Sequence, residues 1–149
     1  MDAARFDALL LSGEAGNPDR LRQDRNAVRL MRAYMDAERP VAAIWHGPWM
    51  LVEADGLNDR TVTSWESLRT NLRTAGGTHV DQTVVRDGTL IASRKPDDVL
   101  AFNGTVLEAI GLRQAIAAGT WTGGRPQGPA PACLSSRDCA ARPAHGATG

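Results

Sequence analysis

Neither charge is in excess in this sequence: 17 Lys and Arg stand against 17 Asp and Glu over 149 residues. A chain without a net field has little to concentrate polyanions, so nucleic-acid binding and attachment to an anionic membrane surface are not expected. Long hydrophobic runs are missing too. No stretch approaches the roughly 18 apolar residues of a membrane span, and Met1-Asp2-Ala3-Ala4-Arg5 lacks the basic-then-apolar order of a leader. The location expected on this basis is the cytoplasm. Cysteine is scarce, with only Cys133 and Cys139, both among Pro, Ala, Ser and Gly near the end. Cys-x5-Cys fits no common zinc spacing and His145 would be a third ligand in the same loose stretch, so no metal, disulfide or cofactor is expected.

What is present reads as one α/β domain over residues 1–118 followed by a tail. Phe6 to Leu11 has the length and apolar character of a buried parallel strand. Asp24 is placed to cap a helix in which Val28, Met31, Tyr34 and Met35 recur at helical spacing. Trp49 to Ala54 continues as a helix that Gly56 ends, and Thr61-Val62-Thr63 is a short strand. Thr63-Ser64-Trp65-Glu66 fits a capping box for a helix through Leu68, Leu72 and Ala75 that stops at Gly76-Gly77. Asp87-Gly88 between Thr83–Arg86 and Thr89–Ala92 is a hairpin signal. Pro96-Asp97-Asp98 opens a last helix with Leu100, Val106, Leu107 and Ile110 on its apolar side. From Gly119 the sequence is rich in Gly, Pro, Ala, Ser and Thr without apolar period, and residues 119–149 are expected to be disordered. His79 is expected at the surface.

The stretch that organises the rest is Val41-Ala42-Ala43-Ile44-Trp45-His46-Gly47-Pro48-Trp49-Met50-Leu51: strand, sharp turn, helix. Such a turn lies at the carboxyl end of a strand, where α/β proteins gather reacting groups, and it can hold one side chain above the sheet. The tip residue is Trp45, whose indole offers one N–H donor and no nucleophile.

Ala43-Ile44-x-His46-Gly47-Pro48, with Thr63-Ser64-Trp65, Val80-Asp81, Val84-Val85, Asp87-Gly88 and Ser93-Arg94-Lys95-Pro96-Asp97-Asp98, resembles the DJ-1/PfpI family from about Phe6 to Ile110. The resemblance implies a doubly wound, flavodoxin-like parallel sheet with helices on both faces, plus the hairpin. It also implies a Cys-His-acid hydrolase site of the protease, deglycase or glyoxalase-like type found in stress proteins. The family's nucleophilic Cys falls at Trp45 and its base at His46. Asp19 matches the acid that, in the PfpI branch, reaches a His across a subunit interface, and Gly13, Glu14 and Gly47 fall at the oxyanion hole. The family's amino-terminal strands, and the Glu there that supports the thiolate, have no counterpart, so strand edges should be left bare. Glu14 replaces a second Gly. It either opposes charge at the oxyanion hole or points to solvent. Trp45 is expected to inherit a strained backbone and to fill the former pocket, with Gly13, Gly16 and Gly47 leaving room. The expected role is a catalytically inactive remnant or a binding and assembly module, homo-oligomeric through the family's dimer surface, with no peptide or small-molecule substrate. The other reading is a hydrolase that uses a non-cysteine mechanism.

Overall fold

The structure, a computed structural model, describes residues 6–111 and the backbone of Ala132 and Cys133. Its centre is a five-stranded sheet formed by β1 (Leu9–Leu11), β2 (Val41–Ile44), β5 (Val84–Asp87), β6 (Leu90–Ser93) and β7 (Ala132–Cys133), in the spatial order β5-β6-β2-β1-β7. β1, β2, β6 and β7 are parallel, and β5 closes one edge antiparallel to β6. A separate parallel pair is made by β3 (Thr61–Val62) and β4 (Thr78–His79). The helices are α1 (Gly16–Leu21), α2 (Arg25–Asp36), α3 (Trp49–Glu53), α4 (Arg69–Thr74) and α5 (Val99–Ala109).

Strand alternation sorts the core into two layers. Leu9, Leu11, Val41, Ala43, Leu90 and Ala92 face the larger cluster, which takes in Met31 and Tyr34 of α2 and Met50 and Leu51 of α3. Ala42 and Ile91 face the opposite way onto Phe102 of α5, with Leu10 and Ile44 at the margin. Both faces of the parallel strands are therefore covered, the condition under which such strands read as continuous apolar runs. This is the expected doubly wound arrangement.

The local signals explain the element ends. Asp24 caps α2, its Oδ1 accepting from the N–H groups of Asn26 at 2.8 Å and Ala27 at 3.4 Å. Gly76 has φ +91° and the N–H of Gly77 returns to the Leu72 carbonyl at 3.0 Å, closing α4 as its glycine pair predicts. Gly88 turns the β5–β6 hairpin at φ +60°.

Three expectations are corrected. No side-chain cap starts the segment before α4: it begins as a 3-10 turn at Glu66–Leu68, and the Thr63 hydroxyl is buried without a partner. Thr63 is fully buried rather than at the helix end, so its hydroxyl meets none of the free N–H groups there. Leu100 is 84% exposed, and Phe102 is the buried anchor of α5, because the helix rises from the 3-10 turn Pro96–Asp98 with a different face toward β6. The outer edge of β1 is not bare, since Leu9 stands opposite Ala132 and Leu10 opposite Cys133. An open parallel edge offers N–H and C=O groups that any extended segment within reach can pair. Apart from those two residues, the tail expected to be disordered lies outside the described residues.

Candidate functional site

β2 ends at Ile44 and the chain turns at once. Trp45 adopts φ +62°, the left-handed region that bulky residues avoid. Its backbone is clamped from two sides: its N–H donates to the Ser93 carbonyl at the end of β6 (3.0 Å), and its carbonyl accepts from the Trp65 N–H (2.9 Å). The Gly47 N–H closes the turn onto the Ile44 carbonyl at 2.9 Å, and Pro48 leads into α3. The strained tip predicted from the sequence is thus present, held by neighbours on three elements. Such a conformation costs on the order of 1–3 kcal/mol and persists only when over-determined.

Gly13 and Gly47 do not leave room around it. A Cβ on Gly13 would run into the Ile44 carbonyl and the Trp45 Cβ, and one on Gly47 would sit 2.7 Å from the Leu11 carbonyl. These glycines permit close backbone approach between the loop after β1 and the elbow, while Gly16 faces open space. Glu14 is exposed to solvent, the second of its two expected placements.

The Trp45 ring does not fill the pocket. It forms part of the wall of a cavity of about 400 Å³ that also takes in Ser64, Trp65, Arg69, His79 and Arg94. The indole stands edge-on to Trp65 at 6.0 Å and tilted against His46 at 5.2 Å. With a T-shaped neighbour to satisfy, the ring packs sideways and the space beyond it stays open. Its Nε1–H is buried without a partner.

His46 follows the tip. Its Nδ1 is also buried and unpartnered, and its Nε2 lies 3.5 Å from the Ser67 hydroxyl, the outer limit of a hydrogen bond. Burial holds its pKa below the ordinary imidazole value. Asp19 is engaged elsewhere: its Oδ1 accepts from Arg22 Nε at 2.9 Å, and Arg22 in turn reaches Glu53 and lies over the Trp49 ring. Trp45, His46, Gly13 and Gly47 are therefore gathered at one point, while Glu14 is exposed and Asp19 is paired with Arg22.

The sequence reading missed the other wall of the cavity. His79 is not at the surface but 9% exposed in β4, drawn inward by its pairing with Val62, and its Nε2 lies 3.3 Å from the buried Ser64 hydroxyl. Burial, then Arg69 and Arg73, lower its pKa, against a smaller opposing effect of Asp81. Arg94 closes the rim, donating to Asp98 at 3.0 Å, to Asp81 at 2.8 Å and to the Thr83 hydroxyl at 3.2 Å. The Thr-Ser-Trp and Ser-Arg-Lys-Pro motifs were the available signals, since the fold brings both to the carboxyl end of β2 beside the elbow. Among the described residues no group of three His, Cys, Asp or Glu side chains is placed to hold a metal, and no helix is long and apolar enough to cross a membrane.

Comparison with known proteins decides the lineage, for the profile of the DJ-1/PfpI family matches residues 1–109. The chain belongs to that family. It is 41% identical over 104 residues to general stress protein 18 of Bacillus subtilis, covering 69% of this chain and 60% of that one. It is 41% identical over 109 residues to protein/nucleic acid deglycase 2 of Escherichia coli, covering 72% and 63%. Among solved structures, the two-domain protein of Anabaena variabilis with DJ-1/ThiJ/PfpI-like and ferritin-like domains superposes with a TM-score of 0.72 at 33% identity, over 74% of this chain and 32% of that one. Drosophila melanogaster DJ-1β gives 0.68 at 28% identity, over 79% and 66%. The chain thus spans about 60% of the length of such curated relatives.

Proposed function

We propose that this DJ-1/PfpI domain has lost the cysteine chemistry of its family and serves as a binding or assembly module. The observation that carries the reading is the elbow tip: the strained position at φ +62° that aims a side chain at the pocket holds Trp45, an indole that cannot attack a carbonyl. His46 beside it is a neutral-leaning base with no thiol to activate. The deglycase and cysteine-protease names belong to relatives, and on this reading the present domain does not share their chemistry, because an indole stands at the elbow tip.

The test is an assay of the purified chain for peptide hydrolysis, aldehyde consumption and amidase turnover. The expected rates equal those of buffer. Turnover above buffer that His46→Ala abolishes would overturn the proposal. Assembly is read by light scattering behind size exclusion: a discrete dimer or higher oligomer supports it, and a monomer at every concentration contradicts it.

A second reading, a hydrolase acting through a nucleophile other than cysteine, is favoured by one observation. The Ser64 hydroxyl and the His79 imidazole meet at 3.3 Å in the wall of the same cavity.

A further inference from the structure

We infer that Ser64 and His79 form an acyl-transfer pair serving the cavity beside Trp45, with small esters of aromatic alcohols as the substrate class. The inference rests on the non-cysteine reading and names its nucleophile.

The pair is built by the small parallel sheet. β4 lies beside β3 with His79 opposite Val62, and Ser64 follows two residues after Val62, so its side chain returns to the same side as the imidazole. The Ser64 Oγ lies 3.3 Å from His79 Nε2 and 2.9 Å from the Trp65 carbonyl. At rest that carbonyl accepts the hydroxyl proton. Rotation about Cβ–Oγ swings the proton to Nε2 without moving a heavy atom, which places nucleophile and base within working reach. Burial, then Arg69 and Arg73, disfavour the charged form of the imidazole, so it stands as a neutral acceptor. Asp81, on the other side of the balance, stabilises the imidazolium that forms transiently.

The step balances within the protein and water. Ser64 Oγ attacks the ester carbonyl carbon, the Oγ–C bond forms, and the hydroxyl proton passes to His79 Nε2. Arg69, which lines the same cavity, is the cation available to the tetrahedral oxyanion. Its collapse breaks the bond to the aryl oxygen, which leaves with the proton from His79. Water then attacks the acyl-Ser64, giving its proton to His79, and a carboxylic acid departs as Ser64 regains its hydrogen. Trp45 and Trp65 provide the aromatic walls, and about 400 Å³ accommodates one substituted ring with a short acyl group.

The experiment gives the full chain p-nitrophenyl acetate and, separately, a fluorophosphonate. Nitrophenol release above buffer is expected, together with a single covalent adduct that peptide mass spectrometry maps to Ser64. Ser64→Ala is expected to abolish the adduct and to lower the rate about 100-fold or more. His79→Gln is expected to slow it similarly and to flatten its rise with pH. Cys133→Ser/Cys139→Ser leaves both readouts unchanged. Turnover with the adduct on another residue, or turnover that survives Ser64→Ala, overturns the Ser64 assignment and leaves the non-cysteine reading standing. Absence of both turnover and adduct in the unmodified chain overturns that reading as well. The adduct is read on the unmodified protein, so a variant that fails to fold does not blunt the test.

Discussion

A tryptophan in the left-handed region has to be held there by its surroundings, because the Cβ clash that excludes such residues is not relieved by the side chain itself. At position 45 the holding groups are the Ser93 carbonyl, the Trp65 N–H and the turn of Gly47. The ring is only half-buried and its N–H lacks a partner, so its net contribution is smaller than that of a filled core position. Trp45→Cys is therefore expected to destabilise the protein by about 1–2 kcal/mol, below the full value for burying a large apolar side chain. A thermal melt reads this, and a neutral or stabilising result would mean that relief of the orphaned N–H outweighs lost packing. The new thiol should alkylate readily yet bring no turnover, since His46 has its Nδ1 buried and its Nε2 toward Ser67. Gly13 makes the sharper case. Its absent Cβ is the space through which the loop touches the elbow, so Gly13→Ala should cost about 1–3 kcal/mol by overpacking, whereas Gly16→Ala, facing open space, should be near neutral. Equal melting points for the two variants would contradict this account.

At the scale of elements, the strand-turn-helix around Trp45 and the Asp87-Gly88 hairpin were legible because turn chemistry is local: a few residues dictate their own dihedrals. Asp24 and Gly76-Gly77 were legible for the same reason. The start of α4 and the buried side of α5 were not, since tertiary packing of Thr63 and Phe102 overrides the local pattern. His79 was misplaced by that same logic, as one polar residue in a two-residue strand carries no period to read. Arg94 joins pieces that no local rule connects. Its guanidinium forks between Asp98 on the 3-10 turn before α5 and Asp81 after β4, a geometry that an ammonium does not reproduce. Arg94→Lys should therefore lower the melting temperature nearly as far as Arg94→Ala, because the Asp98 carboxylate, 8% exposed, loses its bidentate partner in both. Full rescue by Lys would show that charge alone, without the fork, holds the rim.

For the molecule as a whole, the two-faced sheet was readable from apolar runs and from the family resemblance, but the state of its cavity was not, because cavities are made by residues distant in sequence. One imidazole, His79, lines that cavity, a second, His46, packs against its Trp45 wall, and burial lowers the pKa of both. Around His79 the charged groups are Arg69 and Arg73, which oppose its protonation, and Asp81, which favours it less strongly. In the unfolded chain both rings titrate near 6.5. Below that pH the unfolded state binds protons that the folded state resists, so folding stability falls as the solution is acidified. Above about pH 7 both rings are neutral in either state and the contribution is complete. The melting temperature is therefore expected to hold steady from about pH 7 to 8 and to decline as pH drops through 6.5 toward the depressed folded values. His79→Phe should flatten the decline without removing it, as His46 still titrates, and the double variant with His46→Phe should remove most of it. A decline between pH 7 and 5.5 that is unaltered in the double variant would assign the acid sensitivity to other groups and would mean that neither imidazole resists protonation in the folded protein.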